Sequence, residues 1–209
     1  MRLIKIATLF LLSAFALNTA FAQLAPPAPY KNIVPPQPTT TGEKIEVIEI
    51  FSYGCSHCHR FEATLERWLK NKPDNVEFVR LPAIFSPQLA LFARAYYAAE
   101  ALGVLDKVHK PLFDAVHMQK RRLANEDEIA EVFVENGVNK DDFHKAFRSF
   151  SVEAKVRRAT ELGKRYGVEA TPSMVVNGKY ITNPGMDNIG FDGMIKQVNQ
   201  LVAKESKGG

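Results

Sequence analysis

The chain has 209 residues, 46% of them hydrophobic, with 27 basic side chains against 23 acidic ones and a formal net charge of +4. That length supports one to two domains with a real core. The thin, scattered basic excess argues against a nucleic-acid surface, since its runs at Lys120–Arg122 and Lys155–Arg158 read as solvated helix faces.

Residues 1–22 read as a cleaved signal peptide: Arg2 and Lys5, then an apolar run from Ile6 to Leu17, then a small-residue cleavage site at Ala20 to Ala22. Residues 23–44 hold six prolines and read as an extended arm, with at most one short strand near Tyr30 to Val34. The β-branched stretch Ile45 to Tyr53 predicts a buried strand. After the cysteines, Cys58, Phe61, Leu65, Trp68 and Leu69 recur at helical spacing on one face. Lys72 to Asn75 ends that helix, and Val76 to Pro82 predicts a second strand. Strand, helix, strand implies a parallel βαβ unit.

From Ser86 to about Phe150 the pattern is helical throughout. Pro87 to Gly103 is punctuated by proline and glycine. Lys110 to Arg121 predicts a second helix, and Ile129 to Gly137 a third, behind a capping box made by Asn125 and Glu128. Asp141 to Phe150 predicts a fourth. A longer helix, Ser151 to Val168, is stopped by Gly167. Two short strands then flank Asn177-Gly178, a strong hairpin signal, and a last helix runs from about Asp187 to Ala203. The order is β, α, β, helical block, α, ββ, α.

The chemistry lies in Cys55-Ser56-His57-Cys58-His59, which holds the chain's only two cysteines. So short a loop gains little stability from a disulfide, so the pair calls for a chemical explanation. Three chemistries fit the pattern. Haem attachment would use His59 as axial ligand, but His59 points off the Cys58–Phe61–Leu65 face. Zinc normally takes two close pairs of ligands, and His109, His117 and His144 sit singly on helical segments, as surface or half-buried imidazoles. Neither metal nor haem is therefore expected. A redox pair fits best, because a strand running into a helix start offers free amides and the positive dipole end to Cys55. The dipole supplies only ~0.3–1 kcal/mol, and up to ~2 in favourable sites. Lowering a thiol pKa by about 3 takes ~4 kcal/mol. Amide hydrogen bonds and a cation must supply the rest. His57 is the candidate cation, with a bystander on the helix end as the alternative. Glu49, in an apolar strand, is either a buried acid with a raised pKa exchanging a proton with Cys58, or the partner of a lysine or arginine at the sheet edge.

These motifs, together with Thr171-Pro172 ahead of the hairpin, resemble the DsbA family of exported thiol:disulfide oxidoreductases in the thioredoxin superfamily. The resemblance spans about Tyr30 to Ala203. It implies an α/β, thioredoxin-like fold (about 30–84 and 151–205) with an inserted all-helical subdomain (about 85–150). It implies that Cys55 is attacked by substrate, Cys58 resolves, His57 stabilises the Cys55 thiolate and Glu49 handles protons. It makes Pro172 a cis-proline facing the disulfide, although sequence alone leaves the isomer open. Thr171 offers backbone groups to substrate, and Ser56 also lines the substrate site. Implied partners are reduced, unfolded exported proteins in the periplasm and a DsbB-like membrane quinone reductase, with the enzyme itself a monomer. No cofactor beyond the cysteine pair is implied. A disulfide isomerase or reductase on this fold, or a peptide-binding chaperone with a structural disulfide, are the alternatives. Ser56 stands where well-known members carry proline, which bears on oxidising strength rather than on reaction class.

Overall fold

A computed structural model describes residues 28–208; the signal-peptide segment and the first residues of the arm lie outside the described residues. Five strands form one mixed sheet: β1 (Lys31–Asn32), β2 (Ile45–Phe51), β3 (Val76–Pro82), β4 (Ser173–Val176) and β5 (Tyr180–Thr182), in the order β1-β5-β4-β2-β3. β2 runs parallel to β3 and antiparallel to β4, which sets Glu49 beside Arg80 on one neighbour and Met174 on the other. Every residue of β2 is buried, as a strand covered on both faces requires.

The helix α1 (Ser56–Leu69) crosses from β2 to β3 and buries Cys58, Phe61, Leu65 and Trp68. It shares its layer with α7 (Gly190–Lys207), whose Met194, Val198, Leu201 and Val202 join Val47, Met174 and Val176 of the sheet. The other face packs Ile48, Ile50 and Val175 with α6 (Phe150–Arg165) and with the helices that precede it. Those are α2 (Pro87–Ala101), α3 (Leu105–His117), α4 (Glu126–Glu135) and α5 (Lys140–Phe147). The Asn125 side chain accepts from Glu128 N at 2.9 Å and donates to Glu128 Oε1 at 2.8 Å, while Glu128 Oε2 takes Ala124 N. This variant of the capping box starts α4.

Several boundaries differ from the sequence reading. The strand read to Tyr53 ends at Phe51. The helix expected from Lys110 to Arg121 begins at Leu105, with Pro111 inside it. An internal proline costs about 3 kcal/mol. Three fully buried side chains, Val108, Leu112 and Phe113, each contribute about 1.5–3 kcal/mol, which outweighs it. Lys120, at φ 58, stops the same helix early. The last helix starts at Gly190 because Asp187 and Asn188 take left-handed φ of 49 and 54.

The hairpin turn has positive φ at both Asn177 (50) and Gly178 (63), the geometry of a two-residue primed turn. Gln37 N donates to Gly178 O at 2.9 Å, and a Cβ at Gly178 would lie 2.1 Å from Gln37 O. The proline-rich arm is thus clamped to the hairpin. Its β1 strand pairs with β5, and Thr182 Oγ1 donates to Pro29 O at 2.6 Å.

Candidate active site

Cys55 is the N-cap of α1. Its backbone is extended (φ −94, ψ 112) and its sulfur accepts from Cys58 N at 3.2 Å. Cysteine thus takes the role that serine or aspartate fills at most helix starts. Thr171 O approaches the same sulfur at 3.3 Å, and the Thr171–Pro172 peptide bond is cis. Both cysteines are unpaired thiols here; Cys55 is half-buried and Cys58 is buried.

The two sulfurs have opposite electrostatics. The Cys58 thiol, hydrogen-bonded to Cys55, lowers the Cys55 pKa to about 5; the backbone amides of Cys58 and His57 act in the same direction, against burial. Burial pushes Cys58 far above the ordinary thiol range. Cys55 is therefore a thiolate at neutral pH, while Cys58 holds its proton. Ser56 and His57 are both exposed.

Beneath the pair, Arg80 is shared by two carboxylates. Its Nε donates to Glu49 Oε2 and its Nη2 to Glu62 Oε2, each at 3.0 Å. Burial drives Glu49 up to about 8 despite the guanidinium. Burial acts on Glu62 in the same sense, but His109 and Arg80 hold it below the ordinary carboxylate value. One cation thus serves two acids unequally: Glu62 keeps the charge and Glu49 the proton. Glu49 is both the buried acid and the arginine partner that the sequence reading set as alternatives.

These features match known proteins. Residues 78–192 fit the DSBA-like thioredoxin domain family. The thiol:disulfide interchange protein DsbA of Pseudomonas syringae pv. tomato is 38% identical over 176 residues, covering 84% of this chain and 82% of that one. The protein of the same name from Burkholderia cepacia is 38% identical over 184 residues, covering 85% and 87%. The crystal structure of Pseudomonas aeruginosa DsbA aligns with a TM-score of 0.83 at 35% identity, covering 87% of this chain and 94% of that one. The chain belongs to the DsbA-like thioredoxin family. It is a disulfide-introducing thiol:disulfide oxidoreductase.

In this DsbA-like site the helical block supplies groups that the sequence reading left as isolated imidazoles. His109, Phe113 and His117 lie at i, i+4 and i+8, one face of α3, and that spacing was the available signal. His109 Nδ1 meets the Tyr53 hydroxyl at 2.8 Å, and its Nε2 lies 3.5 Å from Glu62 Oε2. His117 Nε2 meets Tyr53 O at 2.8 Å. His59 turns toward α3, with its Nε2 3.3 Å from Asp114 Oδ1. A cavity of about 470 Å³ opens between α1 and α3, lined by His59, Glu62, Arg80 and His109 among others. Glu49 Oε1, Glu62 Oε1 and His109 Nε2 have no hydrogen-bond partner among the described residues. Gly54 lets α2 press onto the site, since a Cβ there would lie 3.1 Å from Phe92 and 3.3 Å from Leu89.

Proposed function

We propose that this enzyme oxidises paired cysteines in reduced, unfolded proteins newly exported to the periplasm, after cleavage of its own signal peptide. The unequal cysteines carry the reading. A substrate thiolate attacks Cys55 Sγ and the Cys55–Cys58 bond breaks. The electron pair leaves on Cys58, which cannot persist as a buried anion and takes a proton from neutral Glu49. The substrate's second thiolate then attacks its own sulfur in the mixed disulfide. Cys55 leaves as the stabilised thiolate, and the substrate departs oxidised. Two electrons pass from substrate to enzyme, and a stabilised leaving thiolate drives that direction.

Thr171 receives the extended substrate through its backbone beside cis-Pro172, in the manner of strand addition. Ser56 and the His57 side chain, both exposed, face the incoming chain, and His57 also stabilises the thiolate through its amide. The thioredoxin-like part, about 30–84 and 151–205, performs the exchange, and the helical insertion, about 85–150, covers it. A DsbB-like membrane quinone reductase reoxidises the enzyme, which works as a monomer. No helix among the described residues is long and apolar enough to cross a membrane.

The test is Cys58→Ser in cells and with a reduced model substrate. Mixed disulfides through Cys55 should accumulate. No trapped adduct, or a glutathione equilibrium as reducing as thioredoxin's, would sink the oxidase assignment.

A further inference from the structure

The His57 imidazole is exposed and makes no hydrogen bond among the described residues. His57 reaches Cys55 through its backbone amide. The ordered imidazoles near the pair are elsewhere. His59, the residue after Cys58, stacks on His117 with ring centroids 5.1 Å apart and planes 13° apart. Phe113 completes a three-ring cluster, 5.8 Å from His59 at 28° and 6.2 Å from His117 at 31°. His117 Nε2 is fixed 2.8 Å from the carbonyl of Tyr53, two residues before Cys55. A carbonyl only accepts, so Nε2 carries a proton in every state and Nδ1 is the nitrogen that titrates. Protonation of His117 therefore requires no movement of the ring.

We propose that the stacked His59–His117 pair is a positioned, switchable positive charge for Cys55, which moves toward His117 when the disulfide is reduced. The proposal rests on Cys55 being the anionic sulfur of the dithiol. Two parallel imidazoles this close cannot both be cationic cheaply. Asp114, itself paired with Lys110, sets a carboxylate oxygen 3.3 Å from His59 Nε2. Burial holds the His117 pKa below the ordinary imidazole value, with His59 and Lys120 acting the same way, while the hydrogen bond to Tyr53 and the Cys55 thiolate raise it. From α1, Glu62 shares the cavity wall with His59, as do Lys110 and His109 from α3. Oxidation removes the thiolate and with it the pull on His117.

The proton count makes this visible. Reducing the disulfide takes two electrons from a substrate dithiol, which loses two protons. One proton ends on Cys58. The second is released to solvent when the imidazoles are neutral at high pH, and is taken up in part by His117 near their titration. Proton release makes the protein a weaker oxidant as pH falls, and a cation beside the thiolate favours the reduced enzyme, so that decline is less steep through the range where His117 takes up its proton.

Imidazole C–H resonances of the whole protein, followed by NMR in the reduced and oxidised states from about pH 5 to 8, test this. His117 should bind its proton about three- to tenfold more tightly in the reduced state. His117→Gln keeps a donor for Tyr53 O. It should lower the equilibrium constant for oxidation of glutathione by a similar factor near pH 6 and leave it unchanged near pH 8. His59→Phe keeps the stack but removes the competitor, and should move the constant the opposite way. A purely structural role would not give opposite signs. The proposal is overturned if His117 titrates identically in both redox states, or if the two variants shift the equilibrium alike. If instead Cys55 of the unaltered protein is not a thiolate at neutral pH, the oxidase reading falls first, and the absorbance of the thiolate shows that separately.

Discussion

Replacing Glu49 with glutamine should stabilise the reduced protein at neutral pH and leave it unchanged in acid. Glu49 is 0% exposed, and its pKa rises from 4.5 to about 8 on burial. Between those values the folded chain binds a proton that the unfolded chain has lost. Stability therefore falls as pH rises: it is complete below about 4.5, declines to about 8, and is level above. The whole window is worth about 5 kcal/mol at 1.36 kcal/mol per pH unit. At pH 7, where the folded carboxyl is still mostly protonated, about 3 kcal/mol has been lost. Glutamine copies the neutral acid's shape, still accepts from Arg80 Nε, and does not titrate. Urea unfolding of parent and variant across this range should show a stability difference near zero at pH 4.5 that grows to about 3 kcal/mol at pH 7. A difference that stays flat with pH would refute a protonated Glu49 and with it the proton donor for Cys58.

Three further outcomes follow from the same geometry. Alkylation of reduced Cys55 should be half-maximal near pH 5, with Cys58 silent; a midpoint near 9 would remove the stabilised thiolate. Arg80→Leu leaves the Glu62 carboxylate without its guanidinium partner and should cost about 3–5 kcal/mol at pH 7, with partial recovery in acid as Glu62 protonates, read from urea midpoints. Gly178→Ala places a Cβ 2.1 Å from Gln37 O at a φ of 63. It should destabilise the fold by about 2 kcal/mol and speed proteolysis of the arm; arm protection equal to the parent's would contradict the clamp.

The sequence signals that succeeded were local. The strand into Cys55, the apolar face of α1, the Asn125 cap and the Asn177-Gly178 turn each involve residues within a few positions of one another, where backbone chemistry decides the outcome. The true start of α3 at Leu105 was missed, and the helix runs through Pro111 because burial of Val108, Leu112 and Phe113 outweighs a local penalty. The charged network was hidden for another reason. Glu49 and Arg80 are 31 residues apart, and they meet only because the α1 crossover sets the parallel register of β2 on β3. The same holds for His59 and His117, which belong to different helices. An imidazole on a helix looks alike whether it faces solvent or another ring.

Ser56 was the residue whose effect on the pair was open, and the donor set narrows it. The amides that act on the Cys55 sulfur belong to His57 and Cys58, not to residue 56. Proline at this first helical position would delete an amide N–H that is not among them. The Ser56 hydroxyl is exposed, and Thr171 and the Cys58 thiol complete the contacts to sulfur. What proline adds is restriction of the unfolded chain, worth about 0.4–1 kcal/mol where the native φ is compatible, as it is at a helix's first position. Ser56→Pro should therefore raise stability by about that amount in both redox states and leave the Cys55 titration near 5. A Cys55 midpoint displaced by a full pH unit in that variant would mean that position 56 acts on the thiolate directly, through the helix dipole or the entry angle of the chain, and that hydrogen bonds from Cys58 do not dominate.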